Sequence, residues 1–74
     1  MMETLTTEQI AQNYAASLDS VTLITELMAL SSRDAEQTAR VARNVEHLEL
    51  MVAKDYWTSE DLAPLNAAIT AGKK

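Results

Sequence analysis

The chain has 74 residues, 11 acidic and 6 basic side chains, and a net charge of −5. The sequence contains no cysteine, which excludes disulfides and thiolate metal sites. The negative charge argues against nucleic acid and anionic lipid as partners, since both require clustered Lys and Arg. No run of roughly 18 apolar residues occurs, so we expect no membrane span. One Gly, one Pro and no Phe favour an all-α fold.

The first predicted helix begins at the stretch LTTEQI. Thr6 suits the N-cap and Gln9 lies three residues later, as in a capping box. A heptad-like apolar seam follows, with Ser17 as its one polar step: Ile10, Tyr14, Val21, Ile24 and Met28. A second apolar stripe lies beside it: Leu18, Leu23, Leu27 and Leu30. This pattern predicts one helix over residues 7–30.

The second predicted helix follows the stretch SSRDAEQ, in which Ser31 or Ser32 suits the cap. It covers residues 33–55, and so short a link makes it antiparallel to the first helix. Its inward face is predicted to consist of Ala35, Thr38, Ala39, Ala42, Val45, Leu48 and Val52. The Leu-rich end of the first helix would then pack on the Ala-rich start of the second, large side chains against small ones.

The third predicted element is short and has two registers. Thr58 as cap, with Asp61 completing a capping box, puts Pro64 in the second turn, where it costs a hydrogen bond. Asp61 as cap puts Pro64 in the first turn, where it is tolerated. We favour the latter register, with a helix over 62–71 and Gly72 as the residue after it. We therefore predict a single helical domain over residues 1–74.

The two long helices carry more apolar side chains than a hairpin with a short third helix can bury. Each fully buried Leu or Met contributes roughly 1.5–3 kcal/mol, so leaving several in water would cost a small domain much of its stability. We therefore predict a homo-oligomer, most simply a dimer with a four-helix core. Trp57 suits a core anchor as well as an interface. The predicted protein interface is Leu23, Leu27, Leu30, Leu50, Met51 and Trp57.

The residues that could carry chemistry are few. His47 is the one histidine and lies near Glu46 and Glu49, but zinc normally takes three or four ligands. The Glu-x-x-His spacing of di-iron bundles is not met, because Asn44 stands three residues before His47. Oligomeric symmetry that gathered several copies of His47 is the one route to a metal site. We predict no catalytic, cofactor-binding or metal site, hence no enzyme.

The stretch RNVEHLELMVAKDYWTSEDLAPLNAAITAG, residues 43–72, resembles small acidic proteins encoded by tailed bacteriophages. Their pattern is like N-V-x-H-L, then A-K-D-aromatic-W-T-x-E-D-L and an Ala-rich end closing on A-G. The residues that carry the resemblance are Asn44, His47, Lys54, Asp55, Trp57, Glu60 and Asp61. The resemblance implies a viral origin, in the host cytoplasm or the virion, and no particular activity.

Two functions remain open from the sequence. The first is a non-enzymatic interaction protein that self-associates and serves phage structure or assembly, with phage structural proteins or a host protein as further partners. The alternative is an acidic inhibitor that binds a host protein by presenting carboxylates in place of nucleic-acid phosphates. It draws support from residues 1–32, which contain no basic side chain and four acidic ones: Glu3, Glu8, Asp19 and Glu26. An enzyme subunit that lends one face to a shared site ranks third.

Overall fold

A computed structural model describes residues 5–74, so that residues 1–4, with Glu3, lie outside the described part. The described residues form three α-helices and no strand: α1 (Thr7–Met28), α2 (Ala35–Val52) and α3 (Ser59–Gly72). All three helices pack on one another, which confirms the all-α prediction of a hairpin with a short C-terminal helix.

Helix α1 begins where the sequence predicts and ends two residues early. Thr6 and Gln9 form the predicted capping box, with hydrogen bonds of 3.1 and 2.9 Å between each side chain and the other's backbone N–H. At the other end, Arg33 Nη1 donates to the carbonyl oxygens of Leu27 and Leu30, each at 3.2 Å. Leu27 O also accepts from Leu30 N at 3.2 Å, a turn bond in place of a further helical one, and α1 stops at Met28 instead of residue 30.

Helix α2 is shorter than the predicted 33–55 at both ends. Its N-cap is Asp34, not Ser31 or Ser32: the carboxylate accepts from Gln37 N at 2.7 Å, and Gln37 Oε1 accepts from Asp34 N at 3.0 Å. A charged cap bonds more strongly than a serine hydroxyl and matches the positive end of the helix. At the C-terminal end, Trp57 Nε1 donates to Met51 O at 2.8 Å, replacing the bond of a further turn.

Helix α3 takes the register that we did not favour. Thr58 is the N-cap, and Asp61 completes a capping box, so the helix begins at Ser59 and not at residue 62. Pro64 therefore lies inside the helix. The capping box satisfies two backbone donors, which offsets the one bond that Pro64 cannot make to Glu60 O.

Gly72 is the last residue of α3 and not, as predicted, the residue that follows it. Its φ is not positive, so the left-handed conformation is not the reason for glycine here. A Cβ at this position would overlap Val45 Cγ2 and stand 3.3 Å from Ile24 Cγ2. The missing side chain lets the end of α3 approach both long helices closely.

The core draws on all three helices: Ile24, Val41, Val45, Leu48, Leu65 and Ala68 are buried. The predicted seam of α1 is right, since Tyr14, Val21 and Met28 pack against this core. The predicted inward face of α2 is right for Val45, Leu48 and Val52. It is wrong at its start, where four residues are exposed: Ala35, Thr38, Ala39 and Ala42.

Val41 takes the inward position at the start of α2 because residues 41, 45, 48 and 52 continue one helical stripe. The Leu-rich end of α1 was predicted to pack on alanines, but the buried residues in the first half of α2 are Val41 and Val45. Two small polar residues of α1 allow the helices to approach closely: Ser17 is 0% and Ser20 is 4% exposed.

Candidate functional site

Helix α3 covers one side of the α1–α2 hairpin. The Tyr14 hydroxyl donates to Asp61 O at 3.1 Å, and Lys73 Nζ pairs with Glu49 Oε2 at 2.6 Å. Tyr14 and Leu23 are nine residues apart on α1, and Glu49 and His47 are two residues apart on α2. At ~100° per residue, each separation places the two residues on opposite sides of their helix. Leu23 and His47 therefore lie on the side of the hairpin that α3 leaves uncovered.

We call this uncovered side the open face. It consists of two stripes with the three- and four-residue steps of one helix side. A single hydrogen bond joins the stripes, with Ser20 Oγ 2.8 Å from His47 Nδ1. The α1 stripe is Ser20, Leu23, Leu27 and Leu30, and the α2 stripe is Arg40, Arg43, His47 and Leu50.

The open face exposes large apolar side chains. Leu23 is 37% exposed, Leu30 43% and Leu50 62%. Beside Leu50 runs a shallow groove of about 360 Å³, lined by Arg43, Glu46, His47 and Leu50. A groove with an apolar wall and charged rims can accept an apolar side chain from another molecule while its rim charges meet opposite charges.

The residues predicted as an interface do not all share this face. Leu23, Leu30 and Leu50 lie on it and are exposed, and Leu27 lies at its inner edge, half-buried and packed against the core. Met51, at the border between α2 and the link to α3, is half-buried.

Trp57 is used within the chain. Its ring centroid lies 5.3 Å from that of Tyr14 and 4.4 Å from that of Tyr56, in addition to its bond to Met51 O. The Tyr56 hydroxyl accepts in turn from Asn13 Nδ2 at 3.3 Å. Trp57 thus ties together α1, the end of α2 and the start of α3, which is the core-anchor role considered for it.

Ser20 is the residue of this site that the sequence reasoning did not single out. Together with Ser17 and Ile24 it follows the i, i+3, i+7 spacing of the α1 inward face. That spacing was the available signal. Ser17 was placed in the seam as its polar step, but Ser20 was not, because an apolar pattern does not include a serine.

The Ser20–His47 contact has the residue types of a nucleophile and its base. Ser20 is only 4% exposed, however, so a substrate cannot reach its Oγ. Among residues 5–74, no carboxylate bonds the other nitrogen of His47, and no three metal-binding side chains come together. Every buried side-chain N or O atom in this part of the chain has a hydrogen-bond partner. The geometry fits a structural bond that holds α1 to α2.

Charge divides the open face along its length. On the outer edge of α1, exposed Asp19 and Glu26 flank Leu23, at four residues before it and three after it. On α2, Arg40 forms an ion pair with Glu36 of the same helix, with 3.7 Å between Nη2 and Oε1. Arg43 is exposed and forms no ion pair within residues 5–74. The α1 half of the face is acidic, whereas the α2 half carries Arg40 and Arg43 together with the exposed Glu46.

Residues 5–74 thus form a small three-helix protein in which α3 leaves the open face of the α1–α2 hairpin uncovered. No family model, no curated protein and no solved structure matches the chain. Within residues 5–74, none of the helices combines the length and the apolar character that crossing a membrane requires.

Proposed function

We propose that this chain is a non-enzymatic helical interaction protein that self-associates, most simply as a dimer, through its open face. The observation that supports the proposal is Leu50, 62% exposed in the middle of α2's last turns, with Leu23 and Leu30 exposed on the neighbouring helix. Removing apolar surface from water gains about 25 cal/mol per Å², so a surface that covers these side chains stabilises the chain.

A second copy is the simplest surface that fits. Soluble oligomers are mostly two-fold dimers, in which the same patch is used twice. Two hairpins stacked face to face produce a four-helix arrangement around a common apolar centre. The third helix of each copy then stays outside, on the side that it already covers.

We further propose that the protein serves the structure or assembly of a phage particle, in the host cytoplasm or the virion. Support comes from the resemblance of residues 43–72 to small acidic phage proteins. Three residues that carry the resemblance have roles in this fold: His47 bonds Ser20, Trp57 bonds Met51 O, and Asp61 completes the α3 cap. A structural role for these three residues fits an interaction protein.

Sedimentation equilibrium at micromolar concentration tests self-association directly. We expect a mass near twice the 8.1 kDa of one chain, falling toward one chain on dilution. A folded single chain at every accessible concentration, with its helix content intact by circular dichroism, is incompatible with the proposal.

A pair of variants tests whether the open face is used. Leu50→Glu places two charges in the contact of a two-fold dimer, and we expect it to weaken association by a hundredfold or more, from the ~1.5–3 kcal/mol that each buried Leu contributes. Thr22→Glu is the control, because Thr22 is exposed on α1 outside the open-face stripe. Unchanged mass for Leu50→Glu, with intact helices, would mean that Leu50 remains in water.

The acidic inhibitor is a second candidate, favoured by the surface of α1. Glu8, Asp19 and Glu26 are all exposed, and residues 5–32 contain no basic side chain to neutralise them. If these carboxylates replace phosphates, the chain should compete with DNA or RNA for a basic host protein, and added salt should abolish the competition. Competition that persists at high salt, or none at low salt, contradicts this candidate.

A further inference from the structure

The open face admits two symmetric ways of stacking on itself. With the two-fold axis across the helices, α1 lies on α1 and α2 on α2. With the axis parallel to the helices, α1 of each copy lies on α2 of the other. Neighbouring helices are antiparallel in both arrangements. Apolar contact alone does not choose between them, because both arrangements cover Leu23 and Leu30.

Charge separates the two arrangements. The first stacks the acidic half on itself, so that Asp19 and Glu26 face the acidic helix of the other copy, and Arg40 and Arg43 face the helix that carries the other guanidinium groups. Like charges across an interface are strongly unfavourable, and opposite charges select partner and register. Only the second arrangement sets Glu26 of each copy on the part of α2 that carries the guanidinium groups, Arg40 and Arg43.

Building on the self-association proposed above, we infer that a second copy docks with its two-fold axis parallel to the helices, so that Glu26 of each copy meets Arg43 of the other. The hydrogen bond between Ser20 and His47 fixes which residues of α1 and α2 stand level. An axis parallel to the helices preserves those levels, so Glu26 of the second copy stands level with residue 41, between Arg40 and Arg43.

The edges of the face agree with this pairing. Glu26 lies on the edge of α1 that points away from α2, whereas Arg43 and Leu50 lie on the edge of α2 that points away from α1. Rotation about the inferred axis places each of these edges over the other. Leu23 of the second copy comes level with residue 44, beside the groove that Arg43, Glu46, His47 and Leu50 line.

The area of the contact suits a reversible dimer. The 18 residues of α2 extend about 27 Å, and two packed helices are roughly 20 Å wide, so the face offers on the order of 600 Å² per copy. The total of about 1,200 Å² lies at the lower end for specific interfaces. Rim charges in such a contact influence association measurably and are weakened by salt.

A charge exchange tests the inference. Arg43→Glu alone and Glu26→Arg alone each create two like-charged contacts in a homodimer, and we expect each to weaken self-association about tenfold at low salt. An equimolar mixture of the two variants should form a heterodimer with wild-type affinity, because both of its pairs are then opposite in charge. The Glu26→Arg/Arg43→Glu double variant should likewise recover. Glu60→Arg, the same charge change on exposed α3, should leave association unchanged.

The outcomes separate this inference from the proposed function. If the wild-type chain is a monomer, self-association itself fails. If it dimerises but the single variants dimerise equally well, or the mixture is no tighter than either variant alone, the arrangement inferred here is wrong while self-association stands. Sedimentation of each variant, with one member of the mixture carrying a tag that changes its mass, provides the measurement.

Discussion

The two sides of the α1–α2 hairpin differ in how their apolar side chains are matched. On the α3 side, bulky Ile24 and Val45 meet Gly72, whose missing Cβ allows close approach. On the open face, Leu23 and Leu50 remain 37% and 62% exposed, because α3 packs on the other side. The comparison shows that one pair of helices can carry two apolar surfaces, of which a 14-residue third helix covers only one.

The largest expected effect contrasts one leucine from each side. Leu65 is fully buried on the α3 side, and Leu65→Ala should lower the free energy of unfolding by about 2–5 kcal/mol. Leu23→Ala should cost less, about 1 kcal/mol, because Leu23 is already 37% exposed. Denaturant unfolding of dilute, monomeric protein measures both. Equal losses for the two variants would remove the distinction between the sides.

A smaller effect is expected at the closest contact of the α3 side. Gly72→Ala adds a Cβ that overlaps Val45, and crowding a packed site costs about 1–3 kcal/mol. Alanine's better helix propensity returns up to ~1 kcal/mol, so we expect a net loss of about 1–2 kcal/mol. Asn66→Ala on exposed α3 is the control and should stay within about 0.5 kcal/mol. Stabilisation by Gly72→Ala would show that the last turn of α3 is not packed as described.

The smallest effect concerns the boundary of the open face, where Ser20 and His47 join the helices. His47→Leu leaves the buried Ser20 hydroxyl without this partner, and we expect a loss of about 1 kcal/mol. Adding Ser20→Ala removes the group that needs satisfying, so the double variant should lose less than the two single losses combined. Thermal or denaturant unfolding of the four proteins yields the coupling. Strict additivity would mean that the bond contributes nothing to stability.

A local signal predicted the start of α1 correctly, whereas the ends of α1 and α2 were predicted too far along the chain. Thr6 with Gln9 marks the start of α1 from four neighbouring residues. The ends of α1 and α2 depend on side chains six residues away, Arg33 reaching back to Leu27 O and Trp57 to Met51 O. No periodic pattern reports such contacts, so both helices were predicted too long.

The start of α3 failed for a different reason. Two local rules conflicted, the Thr58–Asp61 capping box and the cost of Pro64 in a second turn, and the proline was given too much weight. Gly72 was read as a helix-ending signal because glycine is common there. Its true reason is a tertiary contact with Val45 and Ile24 that only the packed structure reveals.

The candidate site was predictable where it is apolar. The spacing that placed Leu23, Leu30 and Leu50 in the predicted interface is the spacing by which they lie exposed on the open face. The predicted pairing of Leu-rich and Ala-rich segments failed, because Val41 contributes more apolar volume than Ala42 and turns α2 accordingly. Ser20 was not predicted as part of the site, because a hydrophobic pattern cannot identify a buried hydroxyl.

The position of Trp57 gives the protein a built-in optical reporter. It is the one tryptophan of the chain, and its indole touches Tyr14, bonds Met51 O and stands just before the α3 cap. Dissociation of α3 from the hairpin should therefore expose the indole to water and shift its emission to longer wavelength. Dimerisation through the opposite side should leave the emission maximum unchanged. One fluorescence spectrum therefore distinguishes unfolding from dissociation of the dimer.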